Sequence, residues 1–392
     1  MEPLRLGVIG LGRAFTLMLP TFGQHPLIRL AAASDPRPEA RACFASDFGA
    51  NVYETADALC ADPAVQAVYV ASPHQHHVEH VKLAAKYRKH VLVEKPMALT
   101  LADCREMIEA TRHAGVYLLV GHSHSYDTPY LRAREIINTG RYGRVKMVNA
   151  LNFTDFLYRP RRPEELDTQA GGGVVFSQAA HQVDVVRLLV GQPARSVRAL
   201  SGRWDPKRPT EGAYNAQIVF EDGSFASLTY SGYGHFDSDE FNEWIGELGN
   251  TRDPMTYGTA RALLRTAATP EAETLLKTKR AYGPARALAF QTSEKPQHNH
   301  FGLVIVSCEL ADLRPTPRGI VVYGDDERQL EALATPDVPR SEVVEELYAA
   351  AVLGKQPLHS GEWGLATLEI CLAILESANQ MQETTLTHQM EH

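Results

Sequence analysis

The stretch LRLGVIGLGRAF, residues 4–15, decides the fold. An apolar, strand-like run leads directly into Gly10 and Gly12, and the residues after them favour a helix. Glycine at position 10 allows a tight turn, and glycine at position 12 lets the backbone come close to a pyrophosphate on the helix N-terminus. Phe15 replaces the third glycine of this fingerprint, so the motif is incomplete. We predict a strand, a phosphate-binding turn and a helix here.

Short apolar runs alternate with helix-forming segments up to about residue 122. The predicted strands are Leu4–Gly10, Ile28–Ser34, Ala67–Ala71, His90–Glu94 and Val116–Val120, and helices are predicted at Pro38–Phe48, His76–Lys86 and Thr100–Ala114. Such alternation is typical of a parallel sheet with helices on both faces. We therefore predict an α/β protein in which residues 1–122 form a doubly wound, dinucleotide-binding Rossmann domain.

After residue 122, several predicted strands follow one another without a helix between them. Residues 123–392 are therefore predicted to form a second, α+β domain with a mainly antiparallel sheet. Its predicted strands are Val145–Phe153, Val197–Arg203, Ala213–Phe220, Ser224–Tyr230, Gly302–Ser307 and Gly319–Tyr323, with helices near Thr128–Thr139, Ser341–Leu353 and Glu362–Asn379. Residues 246–300 are polar and rich in turn-forming residues. We interpret them as an insertion or a lid.

Composition narrows the classes of partner and compartment. The chain has 392 residues and a net charge of -8, which argues against binding to a nucleic-acid backbone. The sequence shows neither a signal-peptide pattern nor a long apolar run, so we expect a cytoplasmic protein without membrane contact. Five widely spaced cysteines without a CxxC motif indicate reduced thiols, not disulfides or structural zinc.

Cofactor choice depends on the end of the second predicted strand. Asp35 falls where an acidic side chain accepts hydrogen bonds from the adenosine ribose. A carboxylate there repels a 2′-phosphate, so we expect NAD as the cofactor. Arg37, two residues further on, leaves NADP possible.

Lys95 lies in the tripeptide Glu94-Lys95-Pro96, at the carboxyl edge of a central strand, where open α/β sheets bind ligands. An ammonium group there can hydrogen-bond a substrate oxygen and exchange a proton with it. Taken alone, the same residue is better described as a solvated lysine at a strand end with a neighbouring salt bridge.

A histidine-dense tract, HQHHVEH at residues 74–80, resembles a metal site in composition. His76 and His80 can share a helical face, but no distant cysteine or carboxylate is identifiable as completing a ligand set. We expect local capping or packing beside the cofactor, and no metal.

The order of these motifs resembles the Gfo/Idh/MocA family, named after glucose-fructose oxidoreductase and inositol dehydrogenase. The match runs from GLG through Asp35, Ser72-Pro73 with His77, Glu94-Lys95-Pro96 and three glycines at 171–173 to His181 and Asp184. The resemblance implies cofactor contacts from Gly10, Gly12, Arg13, Ala14, Asp35, Arg37, Ser72, Pro73, His77, Glu94 and Lys95. It also implies that Lys95 and His181 lie beside the nicotinamide and the substrate, and that a large open sheet mediates a homo-oligomer, a dimer or a tetramer. Ser177 stands where many relatives carry Asp, which weakens the case for an Asp-assisted proton relay.

The segment from Val174 onward predicts a helix on which Ser177, His181, Asp184 and Leu188 share one face. A neighbouring hydroxyl or carboxylate can fix the tautomer of the imidazole. The alternative is a polar helix between domains with a histidine whose hydrogen bonds are satisfied.

Substrate class is read from FTDFLYRPRRPEEL, residues 153–166. Tyr158 offers a flat wall for a planar ring, and Arg159, Arg161 and Arg162 can pair with carboxylates. A proline-stiffened loop with solvated arginines is the alternative. The segment resembles the branch of the family that oxidises phthalate cis-4,5-dihydrodiol, which implies an aromatic-derived dicarboxylate as substrate, bound also by Ser177 and His181.

That branch implies oxidation with NAD to 4,5-dihydroxyphthalate, Lys95 accepting the hydroxyl proton with help from His181. Two other functions stay open. A sugar, cyclitol or sugar-acid dehydrogenase would use the same lysine and histidine but a pocket lined with Asp, Asn and Gln. A non-catalytic NAD-sensing regulator would not need to retain either residue.

Overall fold

The computed structural model describes residues 2–256, 258–284 and 295–390, which form two compact units. The first unit contains residues 2–122, 275–284 and 338–368, and the second contains the other described residues. The chain thus enters the second unit at residue 123 and later returns to the first, although the sequence reading assigned everything after residue 122 to the second domain. Within the described ranges, no helix has both the length and the apolar character of a membrane span.

The sheet of the first unit is wholly parallel. Its strands are β1 (Leu4–Ile9), β2 (Ile28–Ser34), β3 (Asn51–Tyr53), β4 (Ala67–Val70), β5 (His90–Val93) and β6 (Leu118–Val120), in the order β3-β2-β1-β4-β5-β6. This is the strand order of a Rossmann domain, and it confirms the predicted fold of the N-terminal part. The order reverses between β1 and β4, so the ligand-binding crevice is expected at their carboxyl ends.

The described helices are α1 (Arg13–Gln24), α2 (Pro38–Phe48), α3 (Ala56–Ala61), α4 (His77–Lys86), α5 (Leu101–Ala114), α6 (Thr128–Asn138), α7 (Ala180–Val190), α8 (Thr259–Leu264), α9 (Pro270–Thr278), α10 (Ser341–Leu353) and α11 (Gly361–Gln380). Most predicted helices lie close to their expected bounds, whereas α3, α8 and α9 had no predicted bounds. Helix α10 belongs to the first unit because it packs on α1. There Arg340 donates to the carbonyl of Leu17 at 3.0 Å, and Thr21 donates to the carbonyl of Pro339 at 2.7 Å.

The sheet of the second unit is mixed and mainly antiparallel, as predicted. Its strands are β7 (Val145–Phe153), β8 (Ala194–Gly202), β9 (Ala213–Phe220), β10 (Phe225–Ser231), β11 (Leu303–Cys308), β12 (Asp312–Thr316), β13 (Gly319–Tyr323), β14 (Arg328–Ala332) and β15 (Thr384–Thr385), in the order β14-β13-β12-β11-β7-β10-β9-β8-β15. Among the strand pairs in the described part of the chain, only the central pair β7 and β10 is parallel. The sheet is open, with β14 and β15 at its edges.

Helix α7 begins at Ala180, later than the predicted start near Val174, and differs from the polar interdomain helix of the alternative interpretation. Every residue from Ala180 to Val190 is buried, so the helix has no solvent-facing side. One π-helical turn, Val175–Ala179, precedes it. Such turns are rare and occur often at functional sites.

Part of the predicted insertion at residues 246–300 belongs to the first unit, and residues 285–294 lie outside the described residues. Tyr282 is 1% exposed and packs edge-on against Phe15, with ring centroids 5.3 Å apart. Its backbone N–H donates to the carbonyl of Leu11 at 3.1 Å, and its hydroxyl donates to Asp47. Phe15, at the position of the missing third glycine, therefore has an aromatic partner from this segment.

We expect the packing of Tyr282 to contribute substantially to the stability of the first unit. Tyr282→Ala removes a fully buried ring and should lower the free energy of unfolding by about 3–5 kcal/mol. Tyr282→Phe removes only the hydrogen bond to a carboxylate and should cost about 1.5–3 kcal/mol. Urea unfolding followed by circular dichroism measures both. An alanine variant as stable as the wild type would show that this segment does not stabilise the unit.

Candidate active site

The phosphate-binding turn follows β1 in the first unit. Gly10 has a φ of +93°, and a Cβ there would lie 2.8 Å from the carbonyl oxygen of Ala71, so only glycine fits. A Cβ at Gly12 would meet nothing described nearer than that oxygen, at 4.0 Å. The fold itself therefore does not require glycine at position 12, but close approach of a pyrophosphate does. Arg13 and Ala14 form the first turn of α1, where helix N–H groups favour an anion.

Asp35 lies at the end of β2 and is buried. One carboxylate oxygen accepts the N–H of Leu11 at 2.8 Å. The other accepts the N–H and the Nε of Arg37, each at 2.9 Å, and the Arg37 guanidinium also donates to the carbonyl of Leu11 at 2.8 Å. The predicted pair thus forms one network with the glycine turn. The sequence did not predict that the arginine would neutralise the aspartate.

Ser72 and Pro73 follow β4, and the side chain of His77 contacts the backbone of the loop that they begin. One ring nitrogen of His77 lies 3.0 Å from the carbonyl oxygen of Ser72, and the other lies 3.1 Å from that of Pro96. Burial lowers the pKa of His77 to about 4, against the effect of these carbonyls. His77 is therefore neutral at physiological pH, donates its one ring N–H to one of these carbonyls, and lies between the ends of β4 and β5. Among the described residues, no set of three acidic, cysteine or histidine side chains is arranged to hold a metal ion.

Glu94 and Lys95 follow β5 directly. The hydroxyl of Tyr69 donates to the Glu94 carboxylate. Burial raises the pKa of Glu94, although that hydrogen bond and the charges of Lys95 and Arg340 oppose the shift. Lys95 is partly exposed at the carboxyl edge of the sheet, as predicted from its position in the sequence. The Glu94 carboxylate is thus fixed by Tyr69 of the neighbouring strand β4.

His181 is buried in the second unit, at the start of α7. Its ring packs edge-on against the ring of His124 at 4.8 Å between centroids and against Phe301 at 5.0 Å. Ser177 lies in the π-helical turn and donates its hydroxyl to the carbonyl of Gly173. Asp184, on the same helix, lies 3.9 Å from the guanidinium of the buried Arg187.

The sequence reading missed His124 and Asp127. The Nδ1 of His124 lies 2.6 Å from a carboxylate oxygen of Asp127, and both side chains are buried. The amide of Asn299 donates to the other carboxylate oxygen at 3.2 Å. A signal was present, because the HSHSYD run that contains both residues comes directly after the last parallel strand.

The three candidate arginines have different environments. Arg159 donates from Nε to Asp155 at 3.0 Å and lies 3.8 Å from Glu247. Burial opposes its charge, but these carboxylates outweigh that effect and raise its pKa. Arg162 is half-exposed, with its nearest carboxylate 4.0 Å away, so it fits the solvated-loop alternative.

Arg161 is the enclosed member of the group. Its guanidinium lies 3.5 Å from the centre of the Phe156 ring and donates to the carbonyl of Phe156 at 2.7 Å. Its Nε is buried without a hydrogen-bond partner among the described residues, and Glu165 is 3.9 Å away. Burial lowers the pKa of Arg161 to about 10. An anion beside this guanidinium would therefore be stabilised.

Tyr158 lies in the short turn that precedes these arginines. The guanidinium of Arg261 stacks 3.9 Å from the centre of its ring and donates to the carbonyls of Tyr233 and Gly234 at 2.7 and 2.8 Å. The ring of Tyr158 thus packs against the guanidinium of Arg261 in this structure. The sequence analysis predicted that the same ring offers a flat wall to the substrate.

A parallel sheet of this order, with a glycine turn joined to an acidic residue directly after β2, is typical of a dinucleotide-binding Rossmann domain. The chain belongs to the GFO/IDH/MocA oxidoreductase family. The model of the family's NAD-binding Rossmann fold matches residues 4–122, and the model of its C-terminal domain matches residues 130–252.

Individual relatives span different shares of the chain. A 1-carboxy-3-chloro-3,4-dihydroxycyclohexa-1,5-diene dehydrogenase of Comamonas testosteroni is 46% identical over 95% of this chain and 94% of its own. The myo-inositol 2-dehydrogenase of Thermotoga maritima is 32% identical over 50% of this chain and 58% of its own.

Solved structures agree with the fold. A candidate dehydrogenase from Bordetella bronchiseptica RB50 superposes with a TM-score of 0.92 at 41% identity, covering 98% of this chain and 100% of that one. Levoglucosan dehydrogenase, solved with NADH and levoglucosan, has a TM-score of 0.72 at 19% identity, covering 98% of this chain and 99% of that one, and shares the fold.

The Asp35–Arg37 network predicts how cofactor preference can be changed. Asp35→Ser removes a charge that repels a 2′-phosphate and releases Arg37 to bind one. We expect the NADP-to-NAD ratio of kcat/KM to rise by about 10- to 150-fold, the scale of one charge-assisted hydrogen bond. Steady-state kinetics with both cofactors measures this ratio.

The double variant Asp35→Ser with Arg37→Ala is the control, because it removes the proposed phosphate ligand as well. It should lose most of the gain in NADP efficiency. A wild type that already prefers NADP would show that the role given to Asp35 is wrong.

Proposed function

We propose that this protein uses NAD to oxidise a cis-dihydrodiol that carries carboxylate groups, namely phthalate cis-4,5-dihydrodiol, to 4,5-dihydroxyphthalate. The observation that carries the proposal is the enclosed Arg161 guanidinium beside an aromatic wall, in a chain whose relative along almost its whole length acts on a carboxylated dihydroxycyclohexadiene. The name of that relative contains one carboxyl group. The second carboxylate of the proposed substrate therefore comes from the family resemblance and not from this relative.

The residues of the first unit suit NAD. Gly10 and Gly12 leave the turn after β1 open to a pyrophosphate, and Asp35 with Arg37 forms the adenosine end of the site. When bound, NAD supplies the hydride acceptor for the carbinol carbon.

Lys95 and His181 supply the acid–base chemistry in this proposal. Lys95 hydrogen-bonds the reacting hydroxyl and accepts its proton as the carbonyl forms, with help from His181. The resulting hydroxy-dienone then tautomerises to the catechol, which needs only a shift of one proton. Because the ring becomes aromatic, the overall oxidation is strongly downhill.

Arg161 binds a carboxylate of the substrate in this proposal. Arg159 is already compensated by Asp155 and Glu247, and Arg162 faces solvent. Of the three, Arg161 therefore has the most to gain from an added negative charge. A planar guanidinium also matches the geometry of a carboxylate.

A substrate panel tests the proposal directly. NADH formation at 340 nm should be fastest with phthalate cis-4,5-dihydrodiol among that diol, the chlorinated monocarboxylate diol, myo-inositol and several aldoses. Preference for the monocarboxylate would keep the carboxylated dihydrodiol class but reject the phthalate assignment. Preference for myo-inositol or an aldose would reject both.

We also propose a cytoplasmic homo-oligomer, a dimer or a tetramer. None of the five cysteines, all of which lie in described residues, forms a disulfide bond, and this suits a reducing compartment. Leu200 on β8 and Phe225 on β10 are exposed apolar side chains on the large open sheet. The oligomer itself is what the family resemblance implies, because single exposed apolar side chains also occur on monomeric proteins.

Loss of the proton acceptor should affect turnover and not cofactor binding. Lys95→Ala should lower kcat by about 100-fold or more, the usual scale for a general base, with NAD affinity nearly unchanged. Steady-state assays and isothermal titration with NAD measure the two quantities. Lys86→Ala, an exposed lysine of the same unit, is the matched control. Turnover close to that of the wild type in folded Lys95→Ala would remove Lys95 from the mechanism.

Arg161→Gln should raise the KM for the carboxylated diol by about 10- to 150-fold, because a charge-assisted hydrogen bond is lost. Arg162→Gln, one residue further on and half-exposed, is the matched control and should have little effect. A neutral cis-dihydrodiol should be a poor substrate and almost indifferent to the Arg161 change. Equal losses on both substrates would indicate a folding defect and not a carboxylate site.

A further inference from the structure

We propose that Asp127 and His124 form a positioning pair that holds the ring of His181 and stabilises its protonated form while it assists Lys95 in proton transfer. This inference rests on the proton-transfer role proposed for His181. The pair does not touch the reacting atoms in this proposal and acts through the imidazole of His181.

The geometry of the three side chains carries the proposal. Asp127 fixes His124 through the 2.6 Å contact at Nδ1, and Asn299 holds the other oxygen of Asp127. His124 then meets His181 at 72° between ring planes, so the edge of one ring faces the other. Phe301 packs against both rings, at 4.8 Å from His124 and 5.0 Å from His181. The ring of His181 is thus confined on two sides by fixed neighbours.

Because the three side chains are buried, the charge of Asp127 acts on His181 with little screening by solvent. Asp127 is 3% exposed, His124 5% and His181 7%, so solvent screens the carboxylate little. A buried carboxylate is costly unless it has hydrogen bonds or an opposite charge. Proton uptake by His181 would place a positive charge two side chains away from Asp127, and the carboxylate stabilises that charged state.

Asp127 acts electrostatically on His298, His300 and Tyr130, Glu247 acts on His300, and Asp184 and Arg187 lie on the helix of His181. Burial lowers the pKa of His298 and of His300 and raises the pKa of Tyr130. These three groups are therefore uncharged at neutral pH. Asp184 is near a cation of its own, Arg187. Because His298, His300 and Tyr130 are uncharged and Arg187 lies beside Asp184, these groups do not neutralise Asp127. Its negative charge therefore still acts on the contacting rings of His124 and His181.

Position 177 of the same helical segment carries a serine, whose hydroxyl donates to the carbonyl of Gly173. A hydroxyl cannot provide the negative charge that an imidazolium requires. The carboxylate that serves His181 in this proposal therefore comes from a different part of the chain, the start of α6.

The test measures the titration of His181 itself. In protein labelled with 13C at histidine Cε1, the His181 signal is assigned by its loss in His181→Gln, and its titration midpoint is followed by NMR. Asp127→Asn should lower that midpoint by about one pH unit or more, a tenfold change in proton affinity. Asp127→Ser, which keeps a residue suited to the start of a helix, should act in the same way and covers the case in which Asn disturbs folding.

Glu346→Gln is the matched control. Glu346 accepts from the buried His359 at 2.8 Å in the first unit, so this change removes the same kind of pair elsewhere. The midpoint of His181 should not change in this variant. The proposal is overturned if the Asp127 variants leave the midpoint where the wild type has it, or if Glu346→Gln lowers it equally.

Kinetics supplies a second readout that depends on the substrate. The acidic limb of the pH profile of kcat/KM should move to lower pH in Asp127→Asn, because neutral His181 then persists at lower pH. His124→Gln should lower kcat about tenfold or more with an unchanged KM for NAD. A wild type inactive on all carboxylated dihydrodiols would reject the proposed function, whereas the NMR result would still decide the role of Asp127.

Discussion

The close approach of β1 to β4 at Gly10 is the constraint on which the first unit depends. Because any Cβ would lie 2.8 Å from the carbonyl oxygen of Ala71, the two strand ends can meet only with glycine at this position. The turn that follows directs the N–H of Leu11 to the carboxylate of Asp35 at 2.8 Å. On the other side, the loop after Ala71 is held by His77. The groups that face a dinucleotide are therefore consequences of where the backbone of two parallel strands ends.

Much of this architecture could be predicted because its signals are local. Pro38–Phe48, Val145–Phe153 and Ser341–Leu353 have the predicted bounds, since periodicity and flanking turn residues specify them. The strand Arg328–Ala332 was missed, because it lies at a sheet edge with mostly exposed, polar residues and has no apolar alternation. The π-helical turn Val175–Ala179 was also missed, since periodicity does not separate it from an ordinary helix.

The candidate site was predictable only where strand order fixes it. Lys95 follows from the rule that ligands bind at the carboxyl ends of parallel strands. The segment with Arg159, Arg161 and Arg162 was recognised as a candidate carboxylate site. The sequence could not show which of these arginines is best suited to bind a carboxylate. Glu247 compensates Arg159 from 88 positions away in the sequence (247 − 159), and the ring of Phe156 covers Arg161. Charge compensation of this kind depends on tertiary contacts, which spacing along the chain does not encode.

Helix α7 carries buried polar residues that the stability of the fold does not require. A helix that is buried on every side is stabilised by apolar residues, and each polar group in it has a desolvation cost unless it is paired. Yet α7 carries His181, Asp184 and Arg187, all less than a tenth exposed. Asp184 and Arg187 compensate each other in part at 3.9 Å, and apolar residues of similar volume would often serve stability as well or better. The proton-transfer role proposed for His181 would give a reason for a histidine at this buried position, and for the carboxylate of Asp127 and the imidazole of His124 that are buried near it.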